Sequence, residues 1–115
     1  MVQHALPAMM QKVYDGTISI EKVVEKMCHN PAILFNIEER GFLREGFHAD
    51  IVLVEPNRPW SVTKDNILYK CGWSPFEGTH FKSKVTHSFV GGHLAFKDGE
   101  FDDSKLGERL IFNRA

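Results

Sequence analysis

The spacing of apolar residues changes about a third of the way along the chain. In the first part it is helical. Leu6, Met9, Met10 and Val13 stand at i, i+3, i+4 and i+7 and so share one helix face. Pro7 fits that helix only in its first turn, where a missing N–H leaves no bond unmade. The helix is therefore predicted to begin between Gln3 and Leu6 and to end at Asp15-Gly16. Ser19 is placed to cap a second helix, in which Ile20, Val23, Val24 and Met27 repeat the spacing. Glu21, Lys22, Glu25 and Lys26 fall on its polar side. Asn30-Pro31 predicts the end of this helix and the start of a short third one. Asn30 would be its N-cap, Pro31 its first residue, and Ala32, Ile33, Leu34 and Phe35 an apolar turn.

Beyond Gly41 the period shortens. The β-branched run Ala49 to Glu55, bounded by Gly46 and Pro56, predicts a buried strand. Trp60-Ser61-Val62 predicts a short one. Val85 to Val90 and His93 to Phe96 flank Gly91-Gly92, the pattern of a hairpin with a two-residue turn. Lys97-Asp98-Gly99-Glu100 predicts a second tight turn leading into Phe101, and Leu110-Ile111-Phe112 a last short strand. Helices followed by a small antiparallel β unit make an α+β chain. Its helix stripes and few strands hold little core of their own and need a partner surface.

Composition narrows the functional classes. The chain has 115 residues, 43% hydrophobic and 25% charged, with a formal net charge of −1. A catalytic barrel needs roughly 250 residues. The near-neutral balance argues against nucleic acid as a partner, since phosphate binding needs a basic excess. No stretch has the apolar length of a membrane span, and the start lacks the layout of a signal peptide, so a cytoplasmic protein is expected. Cys28 and Cys71 fit no zinc spacing and are expected to be reduced, partly buried thiols.

Candidate chemistry is sparse. A hydrolytic zinc site needs at least three converging ligands and commonly draws two of them from one element. His4, His29, His48, His80, His87 and His93 are scattered and form no such pair. His87 and His93 could face each other across the hairpin, more simply as cross-strand neighbours than as ligands. There is no G-x-S-x-G turn and no phosphate loop. Glu38-Glu39 and Asp102-Asp103 read as solvated charge. Lys70 to Gly78 (KCGWSPFEG) has no helical or strand period and reads as an ordered loop pinned by Trp73 and Phe76. A sharper alternative is a loop lying over a neighbouring domain and ordered by Lys70 and Glu77. No catalytic and no metal-ligating residue is assigned.

Several runs taken together carry a resemblance. Asn30 to Phe35, Arg40-Gly41-Phe42-Leu43, Glu45 to Val54, Trp73 to Gly78, the Val85 to Phe96 hairpin and Gly107-Glu108-Arg109-Leu110 resemble the tail of the cyclic amidohydrolases. The order and spacing agree across nearly the whole chain. The opening Val2 to Met10 and the Lys70 to Gly78 run are more similar to bacterial dihydroorotases than to allantoinases or dihydropyrimidinases.

This resemblance implies the closing helices of a (β/α)8 barrel, residues 1–40, followed by C-terminal strands of a small composite β-sandwich domain, residues 41–115. It implies reversible cyclisation of N-carbamoyl-L-aspartate to dihydroorotate, with a zinc centre and a proton-shuttling aspartate supplied by the parent enzyme. None of those ligands maps onto this chain, so no cofactor is expected on it and it is expected to be inactive alone. Gln3 and His4, following the last barrel strand, would lie on the rim of the substrate loops, although opening the helix is the simpler role for Gln3. The expected partners are the remainder of the barrel and further copies of the chain, through exposed edges. The alternatives are another cyclic amidase of the same superfamily and a non-catalytic scaffold or interaction module.

Overall fold

The computed structural model describes residues 2–114. The chain forms two compact units that are interleaved along the sequence. Unit one takes its described residues from 2–19 and 54–84, and unit two from 20–53 and 85–114. The sequential division at residues 40 and 41 is a different partition, defined by a parent architecture rather than by contacts within this chain.

Unit one opens with a 3-10 turn, Val2–His4, running into helix α1, Ala5–Tyr14. Pro7 is the third helical residue, within the first turn as its chemistry demands. Gly16, at φ +74°, follows the helix end. Across from α1 lie strands β2, Trp60–Ser61, and β3, His80–Phe81, which pair antiparallel. The Gln11 side chain accepts the Lys82 N–H at 3.3 Å, and the Tyr14 hydroxyl donates to the Pro56 carbonyl at 2.7 Å. Both contacts tie α1 to the β2–β3 segment. Pro7, Met10, Val62 and Phe81 are buried here.

Unit two departs from the expected helix break. Helix α2, Ile20–Val24, passes into a π turn, Glu25–His29, and then directly into helix α3, Asn30–Leu34. Asn30 is not an N-cap: its φ and ψ of −63° and −41° are helical, and its N–H bonds the Glu25 carbonyl five residues back. Proline at position 31 lacks an N–H, and in a regular helix its ring would clash with the carbonyl four residues earlier. Widening by one residue just before the proline relieves that clash without ending the helix.

The rest of unit two is a four-stranded sheet in the order β1-β4-β5-β6: Ile51–Glu55, Lys84–Val90, His93–Lys97 and Glu100–Phe101. The β4–β5 hairpin closes through Gly91 and Gly92, at φ +56° and +83°, the left-handed pair that a two-residue turn requires. Strand β1 is an edge strand rather than a buried one. Val52 is 50% and Leu53 45% exposed; adjacent strand residues point to opposite faces, so neither face of β1 is fully covered by the described residues. The expected strand at Leu110–Phe112 is reduced to one bridge, Ile37 with Phe112. The Glu38 N–H to the Ile111 carbonyl and the Asn113 N–H to the Asn36 carbonyl complete it.

The apolar turn after Pro31 is largely uncovered, with Leu34 74% and Phe35 60% exposed. Only Ala32 of that turn is buried, joining Val23 in the core of unit two. No described helix is long and apolar enough to cross a membrane.

Candidate functional site

A polar and aromatic cluster surrounds His4 in unit one. The 3-10 turn drives this side chain inward until none of it is accessible. Trp60 from β2, Tyr69, Phe76 and Phe81 from β3 surround the imidazole, with ring centres 5.8 to 6.3 Å from it. Nδ1 lies 3.2 Å from Ser74 Oγ and 3.3 Å from the Tyr69 hydroxyl. Ser74 Oγ accepts the Phe76 N–H at 3.1 Å, which leaves its own proton to donate to Nδ1. The tautomer sets the direction of these contacts: a proton on Nε2 makes Nδ1 an acceptor, and a proton on Nδ1 makes it a donor to one of the two hydroxyl oxygens. Nε2 has no protein partner, and neither does the buried hydroxyl of Ser83. Burial holds the His4 pKa below the ordinary imidazole range, and the amino-terminal charge acts in the same direction.

Gln3 reinforces the same attachment. Its Nε2 donates to the Asn66 carbonyl at 2.7 Å, and its Oε1 accepts the Leu68 N–H at 2.9 Å. Asn66 is itself fixed, closing a capping box with Thr63 around the 3-10 turn Lys64–Asn66 and donating to the Ser61 carbonyl. Gln3 and His4 therefore fasten the start of α1 to the 66–76 segment. The Trp60 indole N–H adds a bond of 2.7 Å to the Ser83 carbonyl.

The other expectations fall out unevenly. Phe76 does pin the 70–78 loop, but Trp73 is 61% exposed and does not. His93 pairs with Val90 and His87 with Lys97, so the two histidines are not opposite each other. The two-residue turn sets the Val90–His93 pair, and a register shift between Ser88 and Phe89 then brings His87 opposite Lys97. Both cysteines are exposed rather than partly buried, since neither lies on a face that this chain covers. Among the described residues no three His, Cys, Asp or Glu side chains converge, so these residues do not fit a metal centre.

In unit two, Asp50 holds the hairpin in place. It pairs with Arg40 and accepts the Gly91 N–H at 2.8 Å. Burial alone would raise its pKa, but the Gly91 and Arg40 bonds outweigh that and hold it below the usual carboxylate range. Through these bonds Asp50 ties Arg40 to the turn of the hairpin.

The His4 shell was not visible in the sequence. Tyr69 and Ser74 are 65 and 70 positions from His4, and no local spacing marks them as its partners. A buried polar and aromatic shell of this kind can position a segment, but it presents no nucleophile or open ligand position to a substrate.

Known proteins place the chain. Over 106 residues it is 35% identical to a dihydroorotase of Pyrococcus furiosus, covering 92% of this chain and 25% of that protein. It is 39% identical over 85 residues to the dihydroorotase of Endomicrobium trichonymphae, covering 74% of this chain and 20% of that one. The chain thus spans about a quarter of the length of the curated relatives it matches. Among solved structures it resembles an L-hydantoinase (dihydropyrimidinase) from Arthrobacter aurescens, with a TM-score of 0.75 and 31% identity over 84% of this chain and 22% of that one. It also resembles the inactive dihydroorotase-like domain of a Chaetomium thermophilum CAD-like multifunctional protein, with a TM-score of 0.62 and 25% identity over 85% of this chain and 26% of that one. Residues 1–95 match the amidohydrolase family, and the chain belongs to it.

Proposed function

We propose that this chain is the C-terminal part of a dihydroorotase, whose intact form reversibly cyclises N-carbamoyl-L-aspartate to dihydroorotate in cytoplasmic pyrimidine biosynthesis. The observation that carries the reading is the extent of the match to the Pyrococcus furiosus dihydroorotase, which takes in 92% of this chain. Residues 1–40 would close the barrel and residues 41–115 would complete the small β-sandwich domain. Zinc would be held by the parent's other segments. Gln3 and His4 would brace the substrate-loop rim from behind, through the 66–76 segment.

The uncovered Leu34 and Phe35 and the exposed edge of β1 are what such a part presents when its partner surface is elsewhere. The remainder of the barrel is the natural cover. Copies of the chain would substitute for it through strand edges and apolar faces. The likeness to the L-hydantoinase favours a second reading, a related cyclic amidase of the dihydropyrimidinase or allantoinase type. The likeness to an inactive dihydroorotase-like domain favours a third, a non-catalytic scaffold.

The test compares three upstream partners. The chain is joined in turn to the upstream three quarters of a dihydroorotase, a hydantoinase and an allantoinase, and turnover of each partner's own cyclic amide is measured beside that of the chain alone. Restored turnover with the dihydroorotase part, and none by the chain alone, is the expected result. Restored turnover only with the hydantoinase or allantoinase part would favour the second reading. Folded but inactive products with all three would favour the third.

A further inference from the structure

The attachment of the Val2–His4 turn to the 66–76 segment rests on a fully buried imidazole whose Nε2 has no hydrogen-bond partner among the described residues. We infer that His4 is a pH-sensitive latch: uncharged it holds the 66–76 segment against the start of α1, and on taking up a proton it releases that segment. The inference rests on the geometry of unit one and goes beyond the proposed activity, so it stands or falls separately from it.

The residues touching the ring come from three places. Strand β2 supplies Trp60, the 66–76 segment supplies Tyr69, Ser74 and Phe76, and β3 supplies Phe81. Tyr69 is the only ionisable group among these neighbours, and among the described residues no carboxylate is hydrogen-bonded to either ring nitrogen. The imidazolium carries an N–H on both nitrogens, and Nδ1–H can donate to only one of the two hydroxyl oxygens beside it. If that partner is Ser74, its oxygen accepts a second bond beside the Phe76 N–H. The ring would then carry a full charge in an aromatic shell with Nε2–H facing no acceptor. The direction of the His4 pKa agrees with that geometry.

Opening is the cheaper response because the contacts to be broken are few. They are the two hydroxyl contacts to His4, the packing of the Tyr69 and Phe76 rings on its imidazole, and the two Gln3 bonds to Asn66 and Leu68. The proton taken up is then solvated on an exposed imidazolium.

Hydrogen exchange followed by nuclear magnetic resonance reads this directly. The reporters are the Leu68 amide, bonded to Gln3, and the Phe76 amide, bonded to Ser74. The Gly92 amide of unit two, bonded to Ala49, is the internal reference. After correction for intrinsic exchange, protection at Leu68 and Phe76 should fall as pH drops below the ordinary imidazole range, by at most about tenfold per pH unit, while Gly92 holds. His4→Phe should abolish that dependence, and His4→Gln serves as a second uncharged variant if the first does not fold. The imidazole Cε1–H resonance of the unaltered protein gives a readout that needs no variant. An imidazole titrating at its ordinary value, or the same loss of protection in both variants, would overturn the latch.

Discussion

Replacing Gly41 by alanine tests the packing of unit two at its tightest point. Gly41 has φ +83°, and a Cβ built there would lie 2.5 Å from the Ala32 Cβ and 2.7 Å from the Cys28 carbonyl oxygen. Neither neighbour is the free end of a flexible side chain. One is a methyl fixed to helix α3, and the other is backbone in the π turn. Two costs therefore add. Forcing an L-residue into the left-handed region costs about 1–2 kcal/mol. Overpacking a site that must move backbone costs about 1–3 kcal/mol more. The total is about 2–5 kcal/mol. Gly46 supplies the control, because it has the same φ of +83° and nothing within 4 Å of its virtual Cβ. Gly46→Ala should bear the backbone cost alone. The assay is urea unfolding of both variants followed by far-ultraviolet circular dichroism, with the difference in midpoint converted at a common slope. If Gly41→Ala and Gly46→Ala are destabilised equally, within about 0.5 kcal/mol, the close approach of Gly41 to α3 and the π turn does not exist.

Four further outcomes are expected. Because burial lowers the folded pKa of His4 below its unfolded value, the unfolded chain binds more protons just below pH 6.5. Stability should thus be highest above that pH and decline below it, by at most about 1.4 kcal/mol per pH unit, with the decline absent from His4→Phe in a pH series of urea melts. Asp50 runs at lower pH: its folded pKa is depressed, so its contribution is complete above about pH 4 and is lost on further acidification. Asp50→Ala should cost about 1–2 kcal/mol, a figure kept low because the side chain is 36% exposed, and equal stability of variant and parent at pH 7 would refute its role in holding Arg40 and the hairpin. Trp60→Phe removes the bond to the Ser83 carbonyl and should cost about 1–2 kcal/mol in thermal unfolding, whereas no change in Tm would mean water replaces it. The double variant Leu34→Glu/Phe35→Glu should shift sedimentation towards monomer, and an unchanged profile would place self-association elsewhere.

Features with a local physical cause were legible in the sequence. Pro7 fixed the first turn of α1, and Gly91-Gly92 set the Val90–His93 pair that closes the hairpin. Asp98-Gly99, with both residues at positive φ, did the same for the turn into β6. Pro31 misled because a missing N–H is compatible with two outcomes, a helix break or a widened turn, and neighbouring residues do not decide between them. The apolar run at Ile51–Val54 was read as buried because composition reports what a strand needs, not whether the covering surface lies in the same chain. The His4 shell was invisible for a third reason. Histidine beside Val2 and Gln3 has no periodic signature, and its partners are brought in by the β2–β3 pairing and the loop between those strands.

The π turn at Glu25–His29 amounts to one surplus residue accommodated without lengthening the helix by a regular step. Each residue of an α-helix advances the side-chain direction by about 100°. The π turn spends five residues where a regular turn spends four, so the chain after it returns to the direction it would have reached one residue sooner. Winding the same residues as regular α instead would turn everything after them by roughly that angle, and Ala32 would swing away from Gly41. The widened turn therefore acts as a phase setting: it decides which apolar side chains α3 keeps for its own unit and which it turns outward.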